Sequence, residues 1–233
     1  NKVLHCAHIL AQWIDNDEDG HPDEPLVHDA LLSSHASMLM WRRESDAEDD
    51  FDKIPDETWD NCILQALFGQ ETNPGFPENG WFDATLEETL HLVTWGGYAP
   101  TYPDVFGEHP GSQIADAMDE CIDGGGYHYD DPTCHYDCLV TEYTYWVITS
   151  ILGAQDYPWR IEEIEEEWEL WNTTLVQTHD PAAFALVTDP TWRLATVLPD
   201  GSYLPADPCQ ADIDGNGHVA VGDLLLVLDG WGQ

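Results

Sequence analysis

The sequence predicts a mainly α-helical, compact domain over about residues 1–205, stapled by disulfides, with a small separate module at 206–233. Apolar residues recur at three- and four-residue intervals in stretch after stretch, the spacing of helices that bury one face. Six cysteines, an even number, stand at 6, 62, 121, 134, 138 and 209. The tail places spaced carboxylates directly before an apolar run, a change of pattern that marks it off from the irregular chain preceding it.

Helices are expected over 2–14, over 26–42 on Leu26, Leu31, Leu32, Met38, Leu39 and Trp41, and over 56–68 around Cys62. The acidic run Glu44–Asp52 between the last two reads as a solvated loop. A Pro/Gly-rich connection at 73–79 leads into an amphipathic helix at 83–98 closed by Gly96-Gly97. An irregular segment follows, broken by a helix near 112–122 that Cys121 is expected to pin. Residues 139–153 are apolar nearly all round and predict a buried helix, with Glu142 as its anomaly. A strongly acidic helix is expected over 159–175, burying Ile161, Ile164, Trp168 and Trp171. Asp180-Pro181 opens a short helix, and 195–203 reads as a hairpin.

With 233 residues, 42% of them apolar, and 11 Trp and 9 Tyr, the chain is long and apolar enough for a sizeable core. The outlying property is charge: 46 Asp+Glu against 6 Lys+Arg, a formal net of −40. Such a surface repels nucleic acid and anionic membranes, and suits divalent cations or a basic partner. Even cysteine usage in an acidic chain with calcium-type loops predicts an oxidising, extracellular setting. Cys134 and Cys138, four apart, are candidates for a local bridge. No signal peptide or membrane span is read, so a secreted protein is expected.

Glu87 and His91 are four apart on the helix at 83–98 and share a face. Glu88 is either the far half of a capping box with Thr85 or a catalytic carboxylate. The stretch Glu87-Glu88-Thr89-Leu90-His91 resembles the H-E-x-x-H helix of the zincin metallopeptidases, with Glu in place of the first ligand histidine. A carboxylate is a competent zinc ligand, although its charge weakens the metal as a Lewis acid. In the gluzincin branch the third ligand is a glutamate on a downstream helix. Glu142 matches it in type and order. The other reading of Glu142 is a hydrogen bond to a tyrosine or an ion pair with Arg160. The resemblance implies zinc on Glu87, His91 and Glu142, Glu88 as general base, and Tyr98, Tyr143 or His128 at an oxyanion, with a peptide as substrate.

Two calcium loops are expected. Asp15, Asp17, Asp19 and Asp23 follow D-x-D-x-D-G-x-x-D, with Gly20 at the turn and His21 inside the loop. Oxygen donors at this spacing favour Ca²⁺ over transition metals. Leu26 stands where an EF-hand has its closing glutamate, so the loop is closer to the short calcium loops of extracellular repeats. In the tail, Asp212, Asp214, Asn216, His218 and Asp223, with Gly217 at the turn, resemble a dockerin-type, EF-hand-like calcium repeat. A dockerin carries two such repeats and one is present. Two functions follow as expectations. One is a zincin-like metallopeptidase or a catalytically faded relative, stabilised by calcium. The other is a calcium-dependent extracellular assembly protein that self-associates or binds a cell-surface or matrix partner.

Overall fold

The computed structural model describes residues 2–205. The expected tail module, with Asp212, Asp214, Asn216, His218 and Asp223, lies outside the described residues. Helices hold 52% of the described residues and strands 6%, which makes the fold mainly α.

Helix α1, Lys2–Ile14, forms where expected and buries Cys6, Ile9 and Trp13 on one side. After the acidic loop, α2 covers Pro25–Ser33, capped by the Glu24 carboxylate, which accepts from the Leu26 N–H at 3.1 Å. The helix expected over 26–42 stops there: His35 takes a left-handed φ of 50°. Ser37–Trp41 is instead a strand, β1. The helix expected over 56–68 divides in the same way, into α4, Asp56–Asn61, and strand β2, Leu64–Phe68. The strands pair in parallel, with Ser37 opposite Leu64 and Trp41 opposite Phe68. Short apolar runs such as Ser-Met-Leu-Met-Trp carry no period that separates strand from buried helix, and here backbone pairing decides. The acidic run between them is no loop. It forms α3, Glu44–Phe51, with Glu44 and Asp46 in the first turn where the helix dipole favours them.

Helix α5, Ala84–Val93, does not end at its glycines. It passes through a π turn at Thr94–Tyr98 into α6, Ala99–Thr101. The glycines serve close packing against α2: a Cβ on Gly97 would lie 2.6 Å from Val27 Cγ1. Helix α7, Pro103–Phe106, shortens the segment expected to be irregular. Helix α8, Gln113–Gly124, is capped by Ser112 and stopped by Gly125 at a φ of 76°. Helix α9, Tyr136–Ile151, buries Tyr143, Thr144, Tyr145 and Trp146.

The single acidic helix expected over 159–175 is two helices, α10 at Pro158–Ile164 and α11 at Thr173–His179. Between them Trp168 is fully buried and bridges backbone to backbone with Tyr127. Asn172 then caps α11, its carbonyl accepting from the Leu175 N–H at 3.0 Å. Asp180 caps α12, Pro181–Val187, as read from the sequence. No hairpin forms at 195–203. That stretch is held on α1, where Gln12 Oε1 accepts from the N–H groups of Asp200 and Gly201 at 3.1 and 2.8 Å.

Among the described residues one disulfide forms, the local bridge Cys134–Cys138 at the start of α9. Cys6, Cys62 and Cys121 are free thiols, so Cys121 does not pin its segment through sulfur. Burial and the neighbouring Asp180 push the Cys121 thiol well above its ordinary range. Hydrophobic packing, rather than a network of staples, holds this part of the chain.

Candidate metal centre

Helix α5 starts from a buried polar clamp. Asp83 caps it, accepting from the N–H groups of Thr85 at 3.1 Å and Asn73 at 2.8 Å. Its second oxygen accepts from His5 Nε2 at 2.6 Å, tying α5 to α1. Burial pushes the Asp83 carboxyl up, but the bonds from His5, Asn73 and Thr85 outweigh it and hold it below the usual range. The capping box read from Thr85 and Glu88 is therefore not used, and Glu88 is free for another task.

One turn into α5, Glu87 and His91 face Glu142 of α9. Their donor atoms converge within 4.8 Å of one another. His91 Nε2 lies 3.5 Å from Glu142 Oε2, with the two side chains 5% and 16% exposed. The same Nε2 is buried and has no hydrogen-bond partner. A buried imidazole nitrogen with no hydrogen-bond partner, facing two carboxylates, makes a donor set of a type that zinc takes. Arg160, the other partner considered for Glu142, is committed elsewhere: it donates to Gln155 Oε1 at 2.8 Å and Tyr145 Oη at 3.1 Å and lies over the Phe82 ring.

Glu88 stands on the far side of the ring. Its Oε2 is 3.8 Å from His91 Nδ1 and accepts a short hydrogen bond from Gln65 Nε2 of β2. That geometry orients the imidazole so that Nε2 points at Glu87 and Glu142, as carboxylates behind metal-bound histidines do.

The charges are mutually dependent. Burial, then Glu88 and Glu142, push the Glu87 carboxyl up to about 8. Burial pulls the His91 imidazole down, but Glu142, Glu88 and Glu87 together carry it up to about 9. Burial also raises Glu142, against the pull of His91. Glu87 and His91 keep their protons to higher pH in the folded chain than in the unfolded one. The metal-free fold therefore loses stability as pH rises, through Glu87 from the ordinary value of 4.5 to about 8 and through His91 from 6.5 to about 9. A divalent ion replaces those protons and opposes the loss. The rise in Tm caused by zinc is thus expected to grow between about pH 6 and about pH 9, as differential scanning fluorimetry can record. A zinc effect independent of pH would contradict this coupling.

Other groups surround the centre. Glu108 accepts a short hydrogen bond from the Thr141 hydroxyl of α9, and burial pushes its carboxyl up to about 7. Tyr129 is raised by burial and then by the charges of Glu142, Glu167 and, more weakly, Glu87. These two, with Gln65, were missed in the sequence. Tyr129 follows the bridge residue Tyr127, with Tyr127 buried, His128 exposed and Tyr129 half-buried. The backbone fixes this phase, since the His128 N–H donates to Glu167 O at 2.7 Å. The alternation that turns His128 outward brings Tyr129 towards the centre.

The remaining oxyanion candidates are engaged away from it. Tyr98 donates to the carbonyls of Trp192 and Arg193, each at 3.1 Å. Tyr143 is fully buried and donates to Asp180, the cap of α12. Cavities of about 570, 410 and 460 Å³ open elsewhere on the surface, lined by residues other than Glu87, His91 and Glu142.

In the first acidic loop, carboxylate oxygens of Asp15, Asp17 and Asp19 converge within 4.8 Å. Asp15 accepts from the N–H groups of Asp19 at 3.1 Å and Gly20 at 2.9 Å, which folds the loop around it. Asp23 is turned to the Asn16 N–H at 2.8 Å, and the His21 ring is exposed, so neither joins the trio. Burial first, and then the charges of Asp17, Asp15 and Asp19, raise the Asp23 carboxyl.

No family model, curated protein or solved structure matches this chain. Among the described residues, no helix is long and apolar enough to cross a membrane.

Proposed function

We propose that this chain is a secreted, calcium-stabilised metalloprotein whose Glu87, His91 and Glu142 hold one divalent transition-metal ion, and that it is a catalytically faded relative of zincin-like metallopeptidases. The observation that carries the reading is the buried, unpartnered His91 Nε2 facing Glu142 across 3.5 Å, with Glu87 completing the trio. One imidazole and two carboxylates suit zinc, with room for a water or substrate in the fourth position. Two anionic ligands leave such an ion a weak activator of water. Glu88, the residue that would serve as general base, has its carboxylate taken up by Gln65 and directed at His91. Tyr98 and Tyr143, which would steady an oxyanion, are tied to other partners.

Zinc titration of the chelator-stripped protein by calorimetry tests this. One ion per chain is expected, with protons released on binding and no hydrolysis of an unstructured protein substrate by the loaded form. Absence of saturable binding would remove the metal centre, and turnover abolished by Glu88→Gln would replace the faded reading with an active peptidase.

The convergence of Asp15, Asp17 and Asp19 favours a second element of the proposal, calcium in the first loop. Three carboxylates held together in a chain of net charge −40 repel one another until a cation intervenes. Calcium is expected to raise Tm by several degrees, an effect lost on Asp17→Asn/Asp19→Asn. Calcium-dependent growth in mass by analytical ultracentrifugation would favour the assembly reading, with a second copy or a matrix partner on the acidic surface.

A further inference from the structure

The chain carries six cationic side chains from Lys and Arg. Four are engaged. Lys2 Nζ donates to the carbonyls of Gly69 and Thr72 at 2.5 and 2.7 Å, and Lys53 pairs with Asp50 at 2.7 Å. Arg160 pairs with Glu163 at 3.3 Å, and Arg193 donates to Asp23 O at 2.9 Å. Arg42 and Arg43 remain. Both are exposed, adjacent, and without a hydrogen bond or ion pair among the described residues. Glu44 and Asp46 follow within a turn, yet neither reaches a guanidinium within 4.0 Å.

These two arginines line a cavity of about 570 Å³, together with Val3, Met40, Trp41, Gly69, Gln70 and Lys2, whose ammonium is already taken up by the Gly69 and Thr72 carbonyls. The volume lies in the range of small-molecule sites, about 300–1,000 Å³. Its position is also informative. β1 ends at Trp41 and β2 at Phe68, and the strands run parallel, so the cavity lies just beyond their carboxyl ends. Trp41 is held by Phe51, at a ring distance of 5.0 Å, and by its Nε1–H donating to Asp50 Oδ2 at 3.2 Å.

We propose that the carboxyl ends of β1 and β2 form a binding site for a small carboxylate ligand with an apolar body. Arg42 and Arg43 grip the carboxylate, and Val3, Met40 and Trp41 cover the rest. A guanidinium fork matches a carboxylate in two parallel hydrogen bonds, which a lone ammonium does not. At physiological ionic strength the Debye length is about 8 Å, so carboxylates farther off are screened, and Glu44, Asp46 and Asp50 are the near charges that the two arginines work against.

Calorimetric titration of the full chain at about 0.15 M salt tests the site. The probes are 3-phenylpropionate, the matched uncharged 3-phenylpropionamide, and inorganic phosphate. Saturable binding of one 3-phenylpropionate per chain is expected, weakened at least about tenfold in Arg42→Gln and in Arg43→Gln. The amide and phosphate should bind at least about tenfold more weakly than the acid, and Lys53→Gln should bind it unchanged. Both arginines are exposed, so their substitution leaves the fold intact. No saturable heat from the acid, equal binding of the amide or of phosphate, or undiminished binding in Arg42→Gln or in Arg43→Gln would overturn the proposal.

Discussion

His91→Ala is expected to lower the zinc affinity of the chain by more than about a hundredfold, beyond what loss of an outer-shell partner costs. The imidazole supplies the one nitrogen donor of the trio, in the neutral form it takes once the ion has displaced its proton. Without it, two carboxylates must hold the ion alone, in a site where burial already pushes Glu87 towards its protonated form. Glu142→Gln tests the opposite wall and keeps its shape. Glu88→Gln sets the scale between them. Because Glu88 faces His91 Nδ1 at 3.8 Å, its loss is expected to weaken zinc by about ten- to a hundredfold. Competition against a zinc chelator measures all three. A Glu88→Gln chain that binds zinc as tightly as the parent would show that Glu88 does not position the ring.

The second large effect concerns the scaffold that sets α9 opposite α5. Trp168→Ala is expected to destabilise the fold by about 4 kcal/mol, within the range for emptying a large aromatic site. Trp168 is fully buried, stacks on Trp146 at a ring distance of 6.2 Å, and meets Tyr127 and Tyr143 edge-on. Its indole N–H donates to the Ser150 hydroxyl at 2.8 Å, so the substitution also orphans a buried polar group. Domains of this kind are stable by only about 5–15 kcal/mol, so the loss takes a large part of the whole. Urea unfolding followed by near-ultraviolet circular dichroism reads it. A change below about 1 kcal/mol would mean that the aromatic layer is not the core of this fold.

Helical spacing is rigid, and that made part of the Glu87, His91 and Glu142 cluster legible in the sequence. Glu87 and His91 must share a face, and Glu142 must be buried by the apolar residues around it, so both facts were visible without coordinates. What no spacing reveals is which way α9 faces α5. That depends on contacts distant in sequence, such as Tyr127 bridging to Trp168. The two strands were read as helix because each is a short apolar run whose partner lies more than twenty residues away. That error hid Gln65, which reaches Glu88 only from a strand. The Gly96-Gly97 stop failed for a related reason, since those glycines answer to Val27 and Leu31 of α2 and not to the end of their own helix. Cys121 was given a partner by even counting, while the fold buries it as a thiol beside Asp180.

The most direct measurement of the central claim is zinc K-edge X-ray absorption on the zinc-loaded chain. The expected first shell contains only nitrogen and oxygen, at about 2.0–2.1 Å, with the outer-shell signature of a single imidazole that disappears in His91→Ala. A sulfur shell near about 2.3 Å, drawing zinc to a free cysteine, or the signature of two or more imidazoles, would contradict the assignment of Glu87, His91 and Glu142 as the ligands.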